Sequence, residues 1–159
     1  STRVRSSAAS DVYKRQIPSI SIVHVEGDLF FGASELFRTQ IQRTVSDPDL
    51  KVIILRLKNA RHLDATSVMA LEDLIHFTRA HDRQILISGA TREVYRVLKQ
   101  SGVLVTLQEG CNREAGESNI FIHKPSNPNL STRDALKRAQ QFLGTDKADI
   151  RIYYDPTKS

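Results

Sequence analysis

The sequence has little of several residue types that can anchor a fold: one cysteine, no tryptophan, seven glycines and five prolines in 159 residues. A single cysteine, Cys111, excludes an internal disulfide and a zinc cluster. The low glycine and proline content excludes a collagen-like repeat, and no run approaches the roughly 18 consecutive apolar residues of a membrane-spanning helix. No secretory signal is recognisable either. These absences predict a soluble domain that rests on its apolar core in a reduced, cytoplasmic setting.

The composition is sufficient for one domain. Hydrophobic residues make up 40% of the chain, and the formal net charge is +5. A domain of about 150 residues buries roughly 70% of the surface of its unfolded chain, which provides a substantial core. Composition and length therefore favour a single globular domain over a disordered chain.

The first sixteen residues differ from the rest. Residues 1–16 hold four basic side chains and one acidic side chain, without apolar periodicity. Residues 6–16, SSAASDVYKRQ, match the in-frame translation of a transposase sequencing adapter, so we interpret 1–16 as an adapter-derived or disordered tail and expect native upstream sequence to be missing. The remaining chain has 19 basic and 17 acidic residues, a balance that predicts no nucleic-acid partner.

Strand and helix patterns alternate beyond the tail. The run VIILRL at 52–57 is almost wholly aliphatic, which is typical of a strand covered on both faces, so we expect it at the centre of the sheet. The segment STRD at 131–134 has the form of a capping box that opens a helix. The predicted strands are 20–25, 52–57, 84–88, 103–107, 119–122 and 148–154, and the predicted helices are 33–45, 68–79, 92–101 and 131–143.

This alternation predicts an α/β fold. We expect a mixed, mostly parallel sheet of four to five strands with helices packed on it, plus a C-terminal strand extension. The mixed character is expected from the short apolar run 29–31, which follows the first strand closely enough to pair with it antiparallel. Residues 17–145 are predicted to form the domain, and residues 146–159 the extension.

Little in the sequence predicts catalysis. No glycine-rich phosphate loop is present, and the five histidines lack the i, i+4 spacing of a helical metal pair. Cys111 has no recognisable histidine partner, which favours an idle thiol over a nucleophile. We therefore expect no enzyme activity, no cofactor and no metal site.

One turn is chemically distinctive. Asp64, Thr66 and Ser67 lie between the aliphatic strand and a predicted helix. A helix N-terminus carries unpaired N–H groups and partial positive charge, so these residues are candidates for a phospho-acceptor or anion-contact turn. A simple helix cap formed by Asp64 or Thr66 explains the same residues. Both interpretations stay open at this point.

Several motifs together carry a family resemblance. The order is a strand, LFFG at 29–32, a helix, VIILRL, LDAT at 63–66, a second helix, and QILISGA at 84–90 followed by a third helix. This order resembles a STAS domain, the module shared by anti-sigma-factor antagonists and the cytoplasmic end of SulP anion transporters. The transporter branch is the more similar, through GDLFFG, VIILRLKNARHLDATSVMALEDL, NIFIHKPSNPNLSTRDALKRA and the closing ADIRIYYDP.

The resemblance implies a non-catalytic regulatory and dimerisation domain of a bacterial SulP-type secondary transporter of sulfate or another small anion, with the transmembrane part missing from this chain. The implied partners are its own transmembrane transport domain, a second STAS copy in a homodimer, and a regulatory protein. The domain would reach the membrane only through that transport domain, at the cytoplasmic face of the inner membrane. Leu29, Phe30 and Phe31 are the implied docking surface, with burial in the core as the alternative.

A free-standing phosphoswitch similar to the anti-sigma-factor antagonists is the alternative function. In that branch a serine or threonine two residues after the aspartate is phosphorylated by an anti-sigma kinase, and the matching position is Thr66. This sequence departs from the branch at Ser67, where glycine usually follows. A side chain at that position could crowd a kinase or partner.

Overall fold

The computed structural model describes residues 17–26, 33–60 and 62–154. Strands and helices alternate in it, which confirms the predicted α/β class. The strands are β1 (Ser19–Glu26), β2 (Leu50–Lys58), β3 (Gln84–Ala90), β4 (Ile120–Ile122) and β5 (Asp149–Tyr154). The helices are α1 (Ala33–Ser46), α2 (Ala65–Ala80), α3 (Arg92–Ser101), α4 (Val103–Leu107) and α5 (Leu130–Leu143), with a 3-10 turn at Arg113–Ala115.

The five strands form one sheet in the order β4-β3-β2-β1-β5. β2 is central, as predicted, because its aliphatic residues 52–55 are fully buried and must be covered on both faces. Every neighbouring pair of described strands is parallel, where the sequence predicted a mixed, mostly parallel sheet. The run 29–31, on which the antiparallel expectation rested, lies outside the described residues, as does the segment 1–16.

The two faces of the sheet are covered unequally. Helices α1 to α4 pack on one face and enclose the larger apolar cluster, in which Phe37, Leu74 and Leu98 are among the buried residues. Among the described helices, α5 alone packs on the other face, where Ala135 and Ala139 contact a smaller aliphatic cluster. Small alanine side chains let α5 approach the sheet closely. The face under α5 therefore has a thin apolar layer that ends before the last residues of the strands.

The C-terminal strand extends this sheet. β5 pairs with β1 in parallel, with Ile150 beside Ile20 and Ile152 beside Ile22. Ile152 is 53% exposed, because no described helix covers this edge of the sheet. The predicted strand at 148–154 is confirmed, and it forms one edge of the sheet.

The predicted strand at 103–107 is wrong, since this segment is the helix α4. Val103 and Leu107 are buried while Val105 is 71% exposed. A strand would have placed all three side chains on one face, whereas a helix separates the middle one from the others. Arg79 donates hydrogen bonds to the carbonyl oxygens of Thr106 and Leu107, which satisfies acceptors that the end of α4 leaves free.

The helix predicted at 131–143 is confirmed as α5, but the predicted capping box is wrong. α5 begins one residue earlier, at Leu130, and its cap residue Asn129 makes no capping hydrogen bond through its side chain. Thr132 lies inside the first turn, where its Oγ1 is 3.0 Å from Ser88 Oγ on β3. The sequence pattern assigned Ser131 to the helix end, but Ser131 also lies inside the first turn, and its Oγ has no hydrogen-bond partner among the described residues.

Candidate functional site

The turn between β2 and α2 is held by Asp64. Its backbone is extended, with φ −77° and ψ 167°, and its carboxylate accepts a hydrogen bond from the Ser67 N–H at 2.7 Å. The Asp64 carbonyl accepts from the Val68 N–H at 2.9 Å, which starts the helix. Leu63, 9% exposed, anchors the turn in the core. Asp64 is thus the N-cap of α2, and the interpretation of this residue as a helix cap is confirmed.

The two hydroxyl residues of the turn lie in different environments. Thr66 is exposed, whereas Ser67 is only 2% exposed. The Asp64 carboxylate already occupies the positive end of α2, so an approaching anion would meet a negative charge there. The structure brings Asp64 into contact with Ser67 and leaves Thr66 at the surface, where a modifying enzyme can reach it.

A second polar cluster lies at the carboxyl ends of β1 and β2, on the face that α5 covers. In the sheet register His24 stands beside Arg56, and Glu26 beside Lys58. Alternate residues of a strand share a face, so Arg56 and Lys58 continue the row that begins with the buried Val52 and Ile54. The sequence reasoning missed this cluster, although the change from aliphatic to basic residues at every second position of β2 signals it.

His24 reports the electrostatics of this cluster. Its ring is half-buried and stacks on Tyr154 with ring centroids 4.4 Å apart. Burial lowers the pKa of His24 below its ordinary value of 6.5, and the positive charge of Arg56 lowers it further. Glu26 opposes this shift and Lys58 adds to it. Among the described residues the balance of charge near His24 is therefore positive, with Arg56 and Lys58 against Glu26.

A cavity of about 420 Å³ opens beside these residues, between the ends of β2 and β3 and the start of α5. Gly89, with φ 77°, contributes a stretch of backbone to its wall. A Cβ at Gly89 would lie 2.3 Å from the Leu57 carbonyl oxygen, so only glycine fits there. The cavity is lined by Arg56, Leu57, Lys58, Asn59, Gly89, Thr91, His123, Pro128 and Ser131.

The first turn of α5 lines this cavity and contains the buried hydroxyl of Ser131. Asn129 uses its side-chain oxygen to accept a hydrogen bond from Arg56 Nη2 at 2.9 Å. Thr132 uses its hydroxyl on Ser88. Ser131 is 3% exposed, and its Oγ has no hydrogen-bond partner among the described residues. Buried hydroxyls are nearly always hydrogen-bonded, so the unpartnered Oγ of Ser131 needs an explanation.

The remaining predicted residues have separate locations. Leu29, Phe30 and Phe31 lie outside the described residues. Cys111 is half-buried, and its Sγ is 3.4 Å from Gln108 Oε1. Within residues 17–26, 33–60 and 62–154, no group of three histidine, cysteine, aspartate or glutamate side chains is placed to hold a metal ion.

The described residues form an α/β module: one parallel sheet, four helices on one face and a single helix on the other, with a capped Asp64 turn after the central strand. The family model for the STAS domain matches residues 11–111, which is more than half of the chain. The chain belongs to the STAS domain family.

Solved structures share this fold. The STAS domain of a SulP transporter from Vibrio cholerae superposes with a TM-score of 0.59 at 24% identity, covering 79% of this chain and 84% of that one. A sulfate transporter family protein from Wolinella succinogenes gives a TM-score of 0.52 at 23% identity, covering 72% of this chain and 85% of that one. At these identities the likeness establishes a common fold.

A longer relative is also similar in sequence. A Bacillus subtilis protein described as a candidate sulfate transporter, YvdB, is 24% identical over 110 residues, which are 69% of this chain. The aligned region is only 19% of the length of that relative. Among the helices that the structure describes, none combines the length and the apolar character needed to cross a bilayer.

Proposed function

We propose that this chain is the non-catalytic regulatory and dimerisation domain of a SulP-type secondary anion transporter. The observation that carries the proposal is the alignment of 110 residues with 19% of a candidate sulfate transporter. Of two solved proteins with the same fold, one is described as the STAS domain of a SulP transporter and the other as a sulfate transporter family protein. In this proposal a membrane domain encoded upstream moves the anion, and the STAS domain acts on it from the cytoplasmic face of the inner membrane.

The uncovered edge of the sheet supports a second copy of the domain as a partner. β5 is an edge strand, and its side chains Ile150, Ile152 and Tyr154 are 45%, 53% and 65% exposed. Exposed edge strands pair readily with other chains, and a twofold arrangement would join two sheets through the same strand. The predicted docking residues Leu29, Phe30 and Phe31 remain the proposed contact with the membrane domain.

Dimerisation can be tested by sedimentation velocity of the purified chain over a range of concentrations. We expect the wild type to form dimers, and Ile152→Arg to be monomeric because it places a charge in the proposed contact. Val105→Arg is the matched control, since Val105 is also exposed but lies on α4, away from the edge. A wild type that stays monomeric throughout, or a control that dissociates as readily as Ile152→Arg, would contradict the proposed edge contact.

Thr66 remains the predicted phospho-acceptor of the turn. Its exposure beside a helix N-terminus supports this role, and the burial of Ser67 removes the competing hydroxyl. A phosphate on Thr66 would bring two negative charges close to the Asp64 carboxylate and change the charge of the surface around α2. Phosphopeptide mass spectrometry of the protein from its native cells tests this, and stoichiometric recovery of only the unmodified peptide under all growth conditions would refute it.

The upstream gene sequence and a complementation assay test the proposed function. Sequencing the genomic DNA upstream of the Ile17 codon should reveal one open frame that encodes many apolar spans joined to this domain. The complete protein should then restore sulfate uptake to a strain that lacks its own sulfate transporters, and deletion of residues 17–154 should impair that uptake. A start codon near Ile17 beside a kinase-like gene would instead support the free-standing phosphoswitch.

A further inference from the structure

We propose that the cavity at the start of α5 binds a tetrahedral oxyanion, a sulfate or phosphate group. The inference is independent of the transporter proposal, because it rests on the residues around the cavity. Three features of the described structure meet there: a cluster of basic side chains, the N-terminus of a 14-residue helix, and a buried hydroxyl without a partner.

The basic side chains give the cavity its charge. Arg56 is half-buried and held toward α5 by its hydrogen bond to Asn129, while Lys58 and His123 line the same wall. Within the described part of the chain, none of the three forms an ion pair. Glu26 is the carboxylate beside Lys58 in the sheet, so among the described residues the cluster retains a positive excess. An oxyanion of charge about −2 would balance it.

The helix end adds aligned donors. The N–H groups in the first turn of a helix point out of its N-terminus and carry partial positive charge. In α5 no described residue accepts a hydrogen bond from the N–H of Ser131 or of Thr132. The first turn of α5 also contains no acidic side chain that could occupy this end. The same arrangement of backbone donors binds phosphate groups in many proteins.

Ser131 supplies the independent argument for a ligand. Ser131 lines the cavity, and its buried Oγ has no partner among the described residues, which costs roughly as much as one lost hydrogen bond. A hydrogen bond from this hydroxyl to a ligand would remove that cost. A bound oxyanion would accept a hydrogen bond from this hydroxyl together with the charged contacts of Arg56 and Lys58.

Titration of the isotopically labelled chain with sodium sulfate, followed by amide NMR, tests the inference. Sodium chloride at matched ionic strength controls for screening. We expect saturable shifts at Ser131, Thr132 and His123, and about tenfold weaker binding in Arg56→Gln and in Lys58→Gln, as typical for loss of one charged hydrogen bond. Lys51→Gln removes the same charge from the opposite end of β2 and should bind sulfate like the wild type.

Ser131→Ala separates binding from folding. Because this change deletes an unpaired buried hydroxyl, the ligand-free variant should unfold at the same or a higher temperature than the wild type, yet bind sulfate several-fold more weakly. Inorganic phosphate and glycerol phosphate distinguish the source of the group: equal affinities indicate a free oxyanion, and tighter binding of the ester indicates an organic phosphate. Shifts that do not saturate, or equal weakening by Lys51→Gln and Arg56→Gln, would overturn the proposal.

Discussion

The N-termini of α2 and α5 both lie at the carboxyl ends of the parallel strands but are built in opposite ways. At α2 the carboxylate of Asp64 accepts a hydrogen bond from the helix, so the positive end is neutralised by the protein itself. At α5 the cap residue Asn129 is turned toward Arg56, and no carboxylate occupies the first turn. A helix N-terminus is therefore available to an external anion only where the chain leaves it without an acidic side chain.

The neighbours of the two helix ends reinforce this difference. Around Asp64 the buried Ser67 donates its N–H to the cap, and the exposed Thr66 faces solvent. Around α5, in contrast, Arg56 and Lys58 approach from the central strand. The first arrangement stabilises the fold, and the second concentrates positive charge at a cavity. Mutations that act differently at the two ends therefore test the comparison.

The largest expected effect is at Gly89, which shapes the cavity wall next to α5. Gly89→Ala would bring a Cβ to 2.3 Å from the Leu57 carbonyl oxygen at φ 77°, so we expect a loss of about 4 kcal/mol in the free energy of unfolding. Gly102→Ala is the matched control: its φ is 85°, but apart from its two chain neighbours no atom lies within 4 Å of the new Cβ. Urea unfolding should give a loss of only about 1 kcal/mol for the control.

Equal losses for Gly89→Ala and Gly102→Ala would show that left-handed backbone strain alone decides the cost. In that case the close approach of β3 to β2 at the cavity would not be required. The difference between the two variants therefore isolates the contact from the conformation.

The next effect concerns charge at the α2 end. Ser67→Asp would bury a carboxylate in a site that is 2% exposed, and we expect the free energy of unfolding to fall by about 3 kcal/mol. Thr66→Asp places the same charge at an exposed position and should change it by no more than about 0.5 kcal/mol. Thermal and urea unfolding of both variants measure this. A tolerated Ser67→Asp would mean that the turn opens easily enough for either hydroxyl to be modified.

A third pair of variants tests the N-termini of α2 and α5 directly. We expect their changes in the free energy of unfolding to differ in direction. Asp64→Ala removes the cap of α2 and should cost about 1 kcal/mol, because the Ser67 N–H loses its acceptor. Ser131→Ala should cost nothing or stabilise the protein by about 1 kcal/mol, since its hydroxyl has no partner among the described residues. Asp64→Asn, which keeps an acceptor, is the control for Asp64→Ala. Destabilisation by Ser131→Ala in the absence of oxyanion would contradict the contrast between the two ends.

The sequence predicted the fold far better than it predicted the arrangement of charges at the carboxyl ends of the strands. Its continuous aliphatic run located β2 at the centre of the sheet, because burial on both faces requires apolar side chains there. Alternation of apolar and polar residues located β5 at the chain's end, although the side chains of β5 are mostly exposed. It failed at α4, where five mainly apolar residues fit a strand as well as a helical turn. Local patterns also mark caps without showing tertiary partners. The segment 131–134 therefore has the pattern of a capping box, although Ser131 lies inside the helix and Thr132 is bonded to Ser88, 44 residues away.

The same limit explains the candidate site. The turn at Asp64 is contiguous in sequence, so its residues could be named in advance. The cavity at α5 draws on β2, β3 and α5, which are separated along the chain and meet only through the sheet order. Only the basic residues at alternate positions of β2 give a local signal, and that signal does not indicate which helix faces them.

The smallest predicted effect is a pH dependence that reports the positive charge under α5. The pKa of His24 lies below its ordinary value of 6.5, mainly through burial and then through Arg56. Between the lowered value and 6.5, the unfolded chain binds more protons than the folded one, so stability rises with pH. The contribution of His24 to the free energy of unfolding is fully present above pH 6.5 and is lost as the pH falls through the lowered pKa. Urea unfolding from about pH 5 to about pH 8 should show this slope.

Substitutions at His24 and at Arg56 separate the causes of that slope. His24→Gln should remove it, and the same change at the exposed His76 of α2 controls for the loss of an imidazole. Arg56→Gln should keep the larger part, because burial of the ring is the first cause and the arginine charge the second. If Arg56→Gln left the slope unchanged, the arginine charge would be screened from the ring. The α5 end would then lack the positive field that distinguishes it from the α2 end.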